Sequence, residues 1–285
     1  MKNILCSLIF LFTAFSLQAG GGWPQPKGSG YIKISEWWLV ANQHFTDQGR
    51  IDPNLTNGLF NTNFYGEFGL TDRLTAIVYV PFFSRAYFNN ELSGTTGEIL
   101  TPGEAINSFG DTDISIKYGL TKGSGIALSA TLTLGLPIGN SAGGSQLNLQ
   151  TGDGEFNQII RIDAGSGFPI GNSDGYVNVY VGFNNRTNGF SDEFRYGIEG
   201  GINLFNDRFT AIARLIGVTS FRNGSLSPEN STSVFANNAE FLSFSPEIAW
   251  NIADNWGVSA GLGTPLSGKL IYANTSYNVG VFFKW

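Results

Sequence analysis

Apolar and polar residues alternate with a period of two along most of the chain. In GIALSATLTLGLPIG, residues 125–139, leucine and isoleucine occupy one face, and Ser, Thr, Ala and Gly occupy the other. Such alternation is typical of a β-strand with one apolar and one polar face. The pattern holds for about 13 residues, whereas strands of soluble sheets average about five or six and a tilted membrane strand needs about 9 to 11. This length favours a strand that crosses a membrane.

The same alternation predicts about twelve strands, separated by links whose length alternates. The links after the even-numbered strands are short, and those after the odd-numbered strands are long and rich in Asn, Ser and Gly. This arrangement is typical of an outer-membrane barrel with short periplasmic turns and long extracellular loops. We therefore predict an all-β fold, a transmembrane antiparallel up-and-down β-barrel. Its strands are expected near residues 28–43, 58–70, 73–85, 107–120, 125–138, 154–165, 175–185, 192–204, 208–221, 239–252, 256–264 and 275–285.

The first residues differ from the remainder of the chain. Lys2 is followed by an apolar run and by Leu17-Gln18-Ala19, which is typical of a secretory signal with its cleavage site. The apolar run has about 12 residues, too few for the roughly 20 that a membrane helix needs. We predict a signal peptide over residues 1–19 and a barrel over residues 20–285. The one cysteine, Cys6, lies in this signal, so the mature chain is expected to have no disulfide.

The last strand ends on alternating apolar residues and stops at a tryptophan. Such a strand can close the barrel by pairing with the first strand, which removes the exposed edge. The end also resembles the carboxy-terminal signal that the bacterial barrel-assembly machinery reads. The resemblance implies that machinery as a partner and the bacterial outer membrane as the location. The positions that match it are Asn278, Gly280, Phe283 and Trp285.

The composition agrees with a membrane barrel and excludes one class of partner. Charged residues make up 13% of the chain, about half the usual share of a soluble domain, and aromatic residues make up 14%. The formal net charge is -6 and no cluster of Lys and Arg is present, which argues against nucleic acid. The expected partners are therefore outer-membrane lipid and a small-molecule solute.

Two neighbouring strands carry a recognisable motif. SFGDTDISIKYGL at 108–120, followed by LTLGLPIGN at 132–140, resembles the family of outer-membrane transporters named after a phenol meta-pathway degradation protein. The resemblance extends from about residue 107 to 220, with Ser108 and Asn140 as departures. It implies a barrel that passes small molecules, hydrophobic or aromatic ones included. The residues that match the motif are Gly110, Asp111, Lys117, Tyr118, Pro137 and Gly139.

The polar faces of the strands supply the candidate lumen residues. Both signs of charge are present, so the side chains either pair with one another and fill part of the barrel, or line a permeation path. We expect Arg161, Asp163, Arg195 and Glu199 to form one charge network that narrows the pore, with Gly182 leaving room for the arginines. The candidates are Glu67, Asp111, Asp113, Lys117, Arg161, Asp163, Tyr180, Arg195, Glu199 and Glu247.

Three further features bear on function. Residues 20–30 are too few for a large plug, yet they can tuck Trp23 into the periplasmic mouth. His44 is the only histidine, and no serine stands near it on the same face, so an outer-membrane hydrolase is disfavoured and no enzyme activity is expected. With one histidine and no mature cysteine, no metal or other cofactor is expected. The remaining alternative is a structural or adhesion barrel that binds partners through its long loops.

Overall fold

The computed structural model describes residues 21–123, 125–226 and 234–285, so the predicted signal peptide lies outside the described residues. In this part of the chain all regular structure is β-sheet. The strands are β1 (Gly30–Phe45), β2 (Ile51–Gly69), β3 (Leu74–Phe88), β4 (Glu91–Leu92), β5 (Ile99–Thr101), β6 (Glu104–Ser108), β7 (Thr112–Gly119), β8 (Ala127–Leu136), β9 (Asn157–Ile170), β10 (Ser173–Asn185), β11 (Glu193–Leu204), β12 (Phe209–Ser220), β13 (Glu240–Asn251), β14 (Trp256–Lys269), β15 (Ile271–Tyr272) and β16 (Ser276–Lys284).

Twelve of these strands form a closed antiparallel barrel, as predicted. Each wall strand pairs with the next one along the chain, and β1 pairs with both β2 and β16, so the sheet has no free edge. Closure pairs the first and last strands of the wall, so the sheet meets the membrane without an unpaired edge. The remaining strands are short. β4 and β5 form a hairpin, β6 pairs with β3 and is continued by β7 along the same strand, and β15 pairs with the end of β1.

Some strand boundaries differ from the prediction. β2 begins at Ile51, and β9 and β14 continue to Ile170 and Lys269, so three links are shorter than expected. At these three strand ends, backbone pairing continues past the residues that alternate between apolar and polar. Alternation therefore predicts only the part of each strand that faces lipid. The predicted strand at 107–120 is interrupted, because Gly110 packs against Pro81 and its N–H donates to the Pro81 carbonyl over 2.8 Å.

The two faces of the wall have opposite polarity. Ile114, Ile116 and Tyr118 on β7 point outward and are exposed, whereas Lys117 between them points inward and is buried. This distribution would be unfavourable in water, but it is the arrangement of a barrel whose outer face contacts hydrocarbon. No helix among the described residues is long and apolar enough to cross a membrane.

The closing seam joins the two ends of the barrel sheet. Gly30 and Trp285 exchange backbone hydrogen bonds of 3.1 Å in both directions. The Trp285 ring occupies the space that a side chain at Gly30 would need. Phe283 stacks on Trp285 with ring centroids 5.8 Å apart on the outer face, whereas Asn278 and Gly280 occupy the inner face. Recognition of these four residues by the assembly machinery stays a prediction.

Candidate functional site

The barrel encloses a polar chamber in the half nearer the short turns. Its cavity measures about 390 Å³. The chamber lies between strands from both sides of the barrel, so most of its side chains are far apart in sequence. Ionisable and aromatic residues dominate the lining, which includes Tyr31, Lys33, Tyr65, Glu67, Arg161, Asp163, Tyr176, Asn178, Tyr180, Glu199, Arg214 and Glu247.

Arg214 on β12 forms the centre of the largest ion-pair network in the chamber. Its Nε bonds to Glu199, and its Nη1 lies 2.7 Å from Glu247 Oε2. The other oxygen of Glu247 accepts a hydrogen bond from Lys33 Nζ at 2.7 Å. The Tyr176 hydroxyl donates to Glu199 over 2.7 Å. The network therefore joins β1 to β10, β11, β12 and β13 across the bore.

A second pair stands apart from this network. Arg161 Nε lies 2.9 Å from Asp163 Oδ2, and its guanidinium lies 4.9 Å from the centre of the Tyr180 ring. Gly182 is the β10 partner of Arg161, and a Cβ built there would make ordinary contact with the Arg161 side chain. That Gly182 leaves room for the arginines stays a prediction.

The predicted single network of Arg161, Asp163, Arg195 and Glu199 is wrong. Arg195 pairs with Glu193, at 2.6 Å, because the two side chains are adjacent inward positions of β11. Glu199 instead pairs with Arg214, which lies directly opposite it in the β11–β12 register. Spacing along one strand selects the partner of Arg195, whereas register across the sheet selects the partner of Glu199.

Lys117 and Glu67 are buried charged residues that form no ion pair with any residue that the structure describes. Lys117 is 1% exposed and makes no ion pair among the described residues. Glu67 is also buried, but its carboxylate accepts hydrogen bonds from the Tyr65 hydroxyl and, over 3.0 Å, from Gln25 Nε2. Gln25, which precedes the first strand, thus donates a hydrogen bond to the buried Glu67 carboxylate.

Residues 21–29, the N-terminal segment, lie at this end of the barrel. The Gln25 N–H donates to Thr75 Oγ1 on β3 over 2.8 Å, and the Gly22 N–H donates to Asn178 Oδ1 on β10, also over 2.8 Å. Pro24, between them, packs against the end of β7, which lies between β3 and β10 in the sheet. The segment therefore follows the inner wall from β10 to β3.

Trp23 anchors the N-terminal segment inside the lumen, as predicted. Its ring packs edge-on against Tyr176, with 6.2 Å between the ring centroids. The other edge of the indole lies over Gly165 of β9, where any side chain would collide with it. Aromatic packing of this type adds about 1 kcal/mol to the burial of the ring.

A group of carboxylates lies further towards the long loops. Arg186 bonds to three of them: Glu155 through Nε, Glu193 at 2.8 Å and Asp153 at 3.2 Å. Asp111 accepts the N–H groups of Gly139 at 2.9 Å and Asp153 at 2.7 Å. These bonds tie loop 137–156 to the wall.

Two carboxyls of this group, both outside the strands, bind protons more tightly than usual. Burial raises the pKa of Asp111 to about 7, and the neighbouring Asp153 carboxylate adds to the rise. Burial also raises the pKa of Glu155 to about 7, although Arg186 opposes the change. The attachment of loop 137–156 therefore includes groups that titrate near neutrality.

The long-loop end of the lumen is filled by apolar side chains. Leu149 from loop 137–156 inserts among inward residues of the first three strands. This apolar cluster consists of Leu39, Ala41, Leu59, Ala86, Phe88, Leu149 and Tyr272, with Trp37, Leu55, Ile106, Val234 and Phe235 packed against it. Alternation along the chain does not reveal this cluster, because its members come from the long-loop ends of strands and from loops.

The structure separates the predicted lumen residues into two groups. Those that line the chamber are Glu67, Arg161, Asp163, Tyr180, Glu199 and Glu247. Lys117 is buried in the same half, whereas Asp111, Asp113 and Arg195 lie nearer the long loops. Lys33 and Arg214 were missed: Arg214 stands between inward Ile212 and Ile216, which obscure the polar face of β12. A role of any of these residues in permeation stays a prediction.

The hydrolase alternative gains no support from the site of His44. Its Nδ1 atom is buried and makes no hydrogen bond in the described part of the chain, so no orienting partner is seen at that atom. Residues 21–123, 125–226 and 234–285 contain no group of three or more His, Cys, Asp or Glu side chains arranged to hold a metal ion.

Comparison with known proteins identifies the fold. No protein-family model and no curated protein matches the chain. The chain is similar to an outer-membrane channel from Pseudomonas putida F1, with 14% identity over 94% of this chain and 100% of that one, and a TM-score of 0.57. It is also similar to the NanC porin, with 8% identity over 89% and 100% of the two chains and a TM-score of 0.49. It is similar as well to the KdgM porin, solved with disordered oligogalacturonate, with 10% identity over 90% of this chain and 99% of that one, and a TM-score of 0.44.

Proposed function

We propose that this outer-membrane β-barrel is a channel for small molecules and that its solutes are apolar or aromatic. The observation that carries this proposal is the apolar cluster inside the lumen at the long-loop end, which we place outside the cell. The resemblance of residues 107–220 to the phenol meta-pathway family supports the same solute class.

The apolar cluster selects solutes by dehydration. A hydrated ion or sugar must shed water to pass between Leu39, Leu59 and Phe88, and no polar group in the cluster apart from the Tyr272 hydroxyl replaces that water. An apolar or aromatic molecule gains from the same surroundings, at about 25 cal/mol for each Å² of apolar surface that it buries. The external end therefore favours apolar solutes.

Passage also requires movement of the N-terminal segment. Its contacts with the wall include the hydrogen bonds of Gly22 and Gln25, the packing of Trp23 and the close approach of Pro24 to Gly119. Each such hydrogen bond contributes about 1 kcal/mol. We propose that the segment is the closure of the resting channel and that it leaves the bore when a solute passes.

Dye uptake by whole cells tests the proposal. Cells that produce the protein should take up the apolar aromatic dye N-phenyl-1-naphthylamine faster than cells with an empty vector. Leu59→Asn should slow this uptake, because it places an amide in the apolar cluster. Leu70→Asn, at an exposed turn position, is the matched control and should leave uptake unchanged. Uptake no faster than with the empty vector would refute the proposal.

One observation favours a second candidate, a sealed barrel that acts through its loops. Each end of the bore holds non-strand residues, the N-terminal segment at one end and Leu149 with the apolar cluster at the other. A deletion of residues 21–27 separates the two functions. A channel should take up N-phenyl-1-naphthylamine faster after the deletion, whereas a sealed barrel should leave uptake at the level of the empty vector.

A further inference from the structure

The outer face of the closing seam carries a carboxylate. Glu36 stands between Ile34 and Trp38 on the outward face of β1, opposite Val279 of β16 on one side and Thr62 of β2 on the other. The Thr62 hydroxyl donates a hydrogen bond of 3.0 Å to Glu36 Oε2. Glu36 is therefore directed towards the membrane rather than into the bore.

Glu36 lies at the depth of the hydrocarbon. On the long-loop side of it, Trp38 stacks on Tyr277 with ring centroids 5.8 Å apart. On the short-turn side, the Phe283–Trp285 stack marks the other edge of the outer face. Aromatic residues flank the apolar band of membrane barrels on both sides. A carboxylate between them is costly unless it has a partner, and such residues are functional candidates.

A groove in the outer wall begins at this carboxylate. It runs across β1, β16, β14 and β13 and has a volume of about 720 Å³. Val279 pairs with Glu36 on one side and with Ala260 on the other, so Ala260 lies level with Glu36. The small Ala260 side chain forms the floor of the groove at that level. Glu36 is the charged side chain among the described residues of the lining, and the apolar walls consist of Ile34, Ile248, Trp250, Val258, Val279 and Val281.

We propose that this groove binds an amphipathic amine, with its apolar chain in the groove and its ammonium group on the Glu36 carboxylate. The outward faces of the adjacent strands β2 and β16 carry no Lys or Arg, so these two strands offer the carboxylate no cation and leave it available to an ammonium group. The volume lies within the 300 to 1,000 Å³ typical of small-molecule sites. A groove confined to four strands is small for a protein interface, which buries about 1,600 Å² in total.

The inference goes beyond the proposed channel and does not depend on it. The groove opens to the membrane, so it can be occupied whether or not a solute passes through the bore. Failure of the dye-uptake experiment would leave the groove site intact, and failure of the binding experiment below would leave the channel intact.

Tryptophan quenching tests the site. The purified full chain is reconstituted into dioleoyl phosphatidylcholine vesicles, and 11,12-dibromododecylamine or 11,12-dibromododecanol is added at equal mole fractions in the membrane. Trp250 lines the groove and Trp38 adjoins Glu36, so a bound bromine should quench their fluorescence. The amine should bind roughly tenfold more tightly than the alcohol, because only the amine forms a charged pair with Glu36.

Two variants separate the charge from the groove. Glu36→Gln keeps the shape and the bond to Thr62, and it should abolish the preference for the amine. Ala260→Leu fills the floor and should weaken the binding of both probes. Glu98→Gln, in an exposed loop, is the matched control. Heat-modifiable gel mobility verifies that each variant is folded. Equal binding of amine and alcohol, or a preference that survives Glu36→Gln, would overturn the proposal.

Discussion

The two ends of the bore are filled by different kinds of chemistry inside one continuous wall. In the short-turn half, charged side chains and the N-terminal segment are held by directional hydrogen bonds and ion pairs. In the long-loop half, Leu149 and its neighbours fill the space by apolar contact. The difference shows that one continuous wall can hold a segment through specific partners at one end and a loop through apolar contact at the other.

This contrast predicts different responses to substitution. A charge that loses its partner in the buried chamber remains uncompensated, so a single change there should be severe. An apolar cluster can rearrange around a smaller side chain, so a change there should loosen the loop without breaking the barrel. The predictions below test this difference, beginning with the largest expected effect.

Arg214→Ala should destabilise the barrel by about 3 kcal/mol, because it leaves Glu199 and Glu247 without their shared partner. The measurement is the free energy of unfolding by urea in phosphatidylcholine vesicles. Arg208→Ala, in the exposed turn before β12, is the control and should change stability by less than about 0.5 kcal/mol. A loss below about 1 kcal/mol for Arg214→Ala would contradict the view of this half as a specific network.

Leu149→Ala should destabilise the closed position of loop 137–156 by about 2 kcal/mol, since Leu149 is 4% exposed within the apolar cluster. Faster hydrogen exchange at residues 143–149, with unchanged exchange in the wall strands, would show this loosening. Leu147, two residues away and 66% exposed, provides the matched control. If Leu147→Ala increased exchange as much as Leu149→Ala, apolar packing would not be what holds the loop.

Trp23→Ala should weaken the hold of the N-terminal segment by about 1 kcal/mol, through the loss of the packing against Tyr176 and Gly165. The ratio of open to closed time in planar bilayers should rise roughly fivefold. Trp23→Phe should restore most of the closed time. An unchanged ratio would mean that the segment does not control the bore.

Raising the pH through neutrality should loosen the long-loop half. An unfolded aspartate has a pKa of about 4, and burial raises the pKa of Asp111 to about 7. The folded state therefore holds this proton more tightly, and the resulting stability is fully present below about pH 4 and is lost as the pH rises through about 7.

The protein should accordingly be less stable at pH 8 than at pH 6, by on the order of 1 kcal/mol from Asp111. Urea unfolding at the two pH values measures the difference. Asp111→Asn, which stays neutral, should reduce the difference. A variant with the same pH dependence as the original protein would assign the effect to other groups.

The wall of the barrel was predictable because one rule, alternation, governs every strand. Position 117 of β7 could be placed inward from its neighbours Ile116 and Tyr118 alone. The same rule gave the correct face for Glu67 and Glu247, and the strand count followed from the alternating link lengths. Boundaries were less certain, because the start of β2 near Ile51 contains Pro53 and its pairing with β1 is broken by a register shift after Ala41.

The contents of the bore were less predictable. Alternation states that Arg195 and Glu199 face inward, but the partner of each depends on register and on reach across the lumen. Arg214 escaped notice because apolar residues precede and follow it on the inner face of its strand. The apolar cluster depends on how a long loop folds back, and no local pattern around Leu149 encodes that return.

The pairing of β1 with β16 has a kinetic consequence. Tyr31 and Lys284 are partners in the register, so the last ladder joins residues separated by nearly the whole chain. Contacts of such long range form slowly, because the entropy of closing the loop must be lost before the pairing stabilises it. Until that step, every intermediate retains two unpaired strand edges that can bind another chain. Zipping of the Gly30–Trp285 end should therefore limit the rate of folding and end the period in which the chain is prone to aggregate.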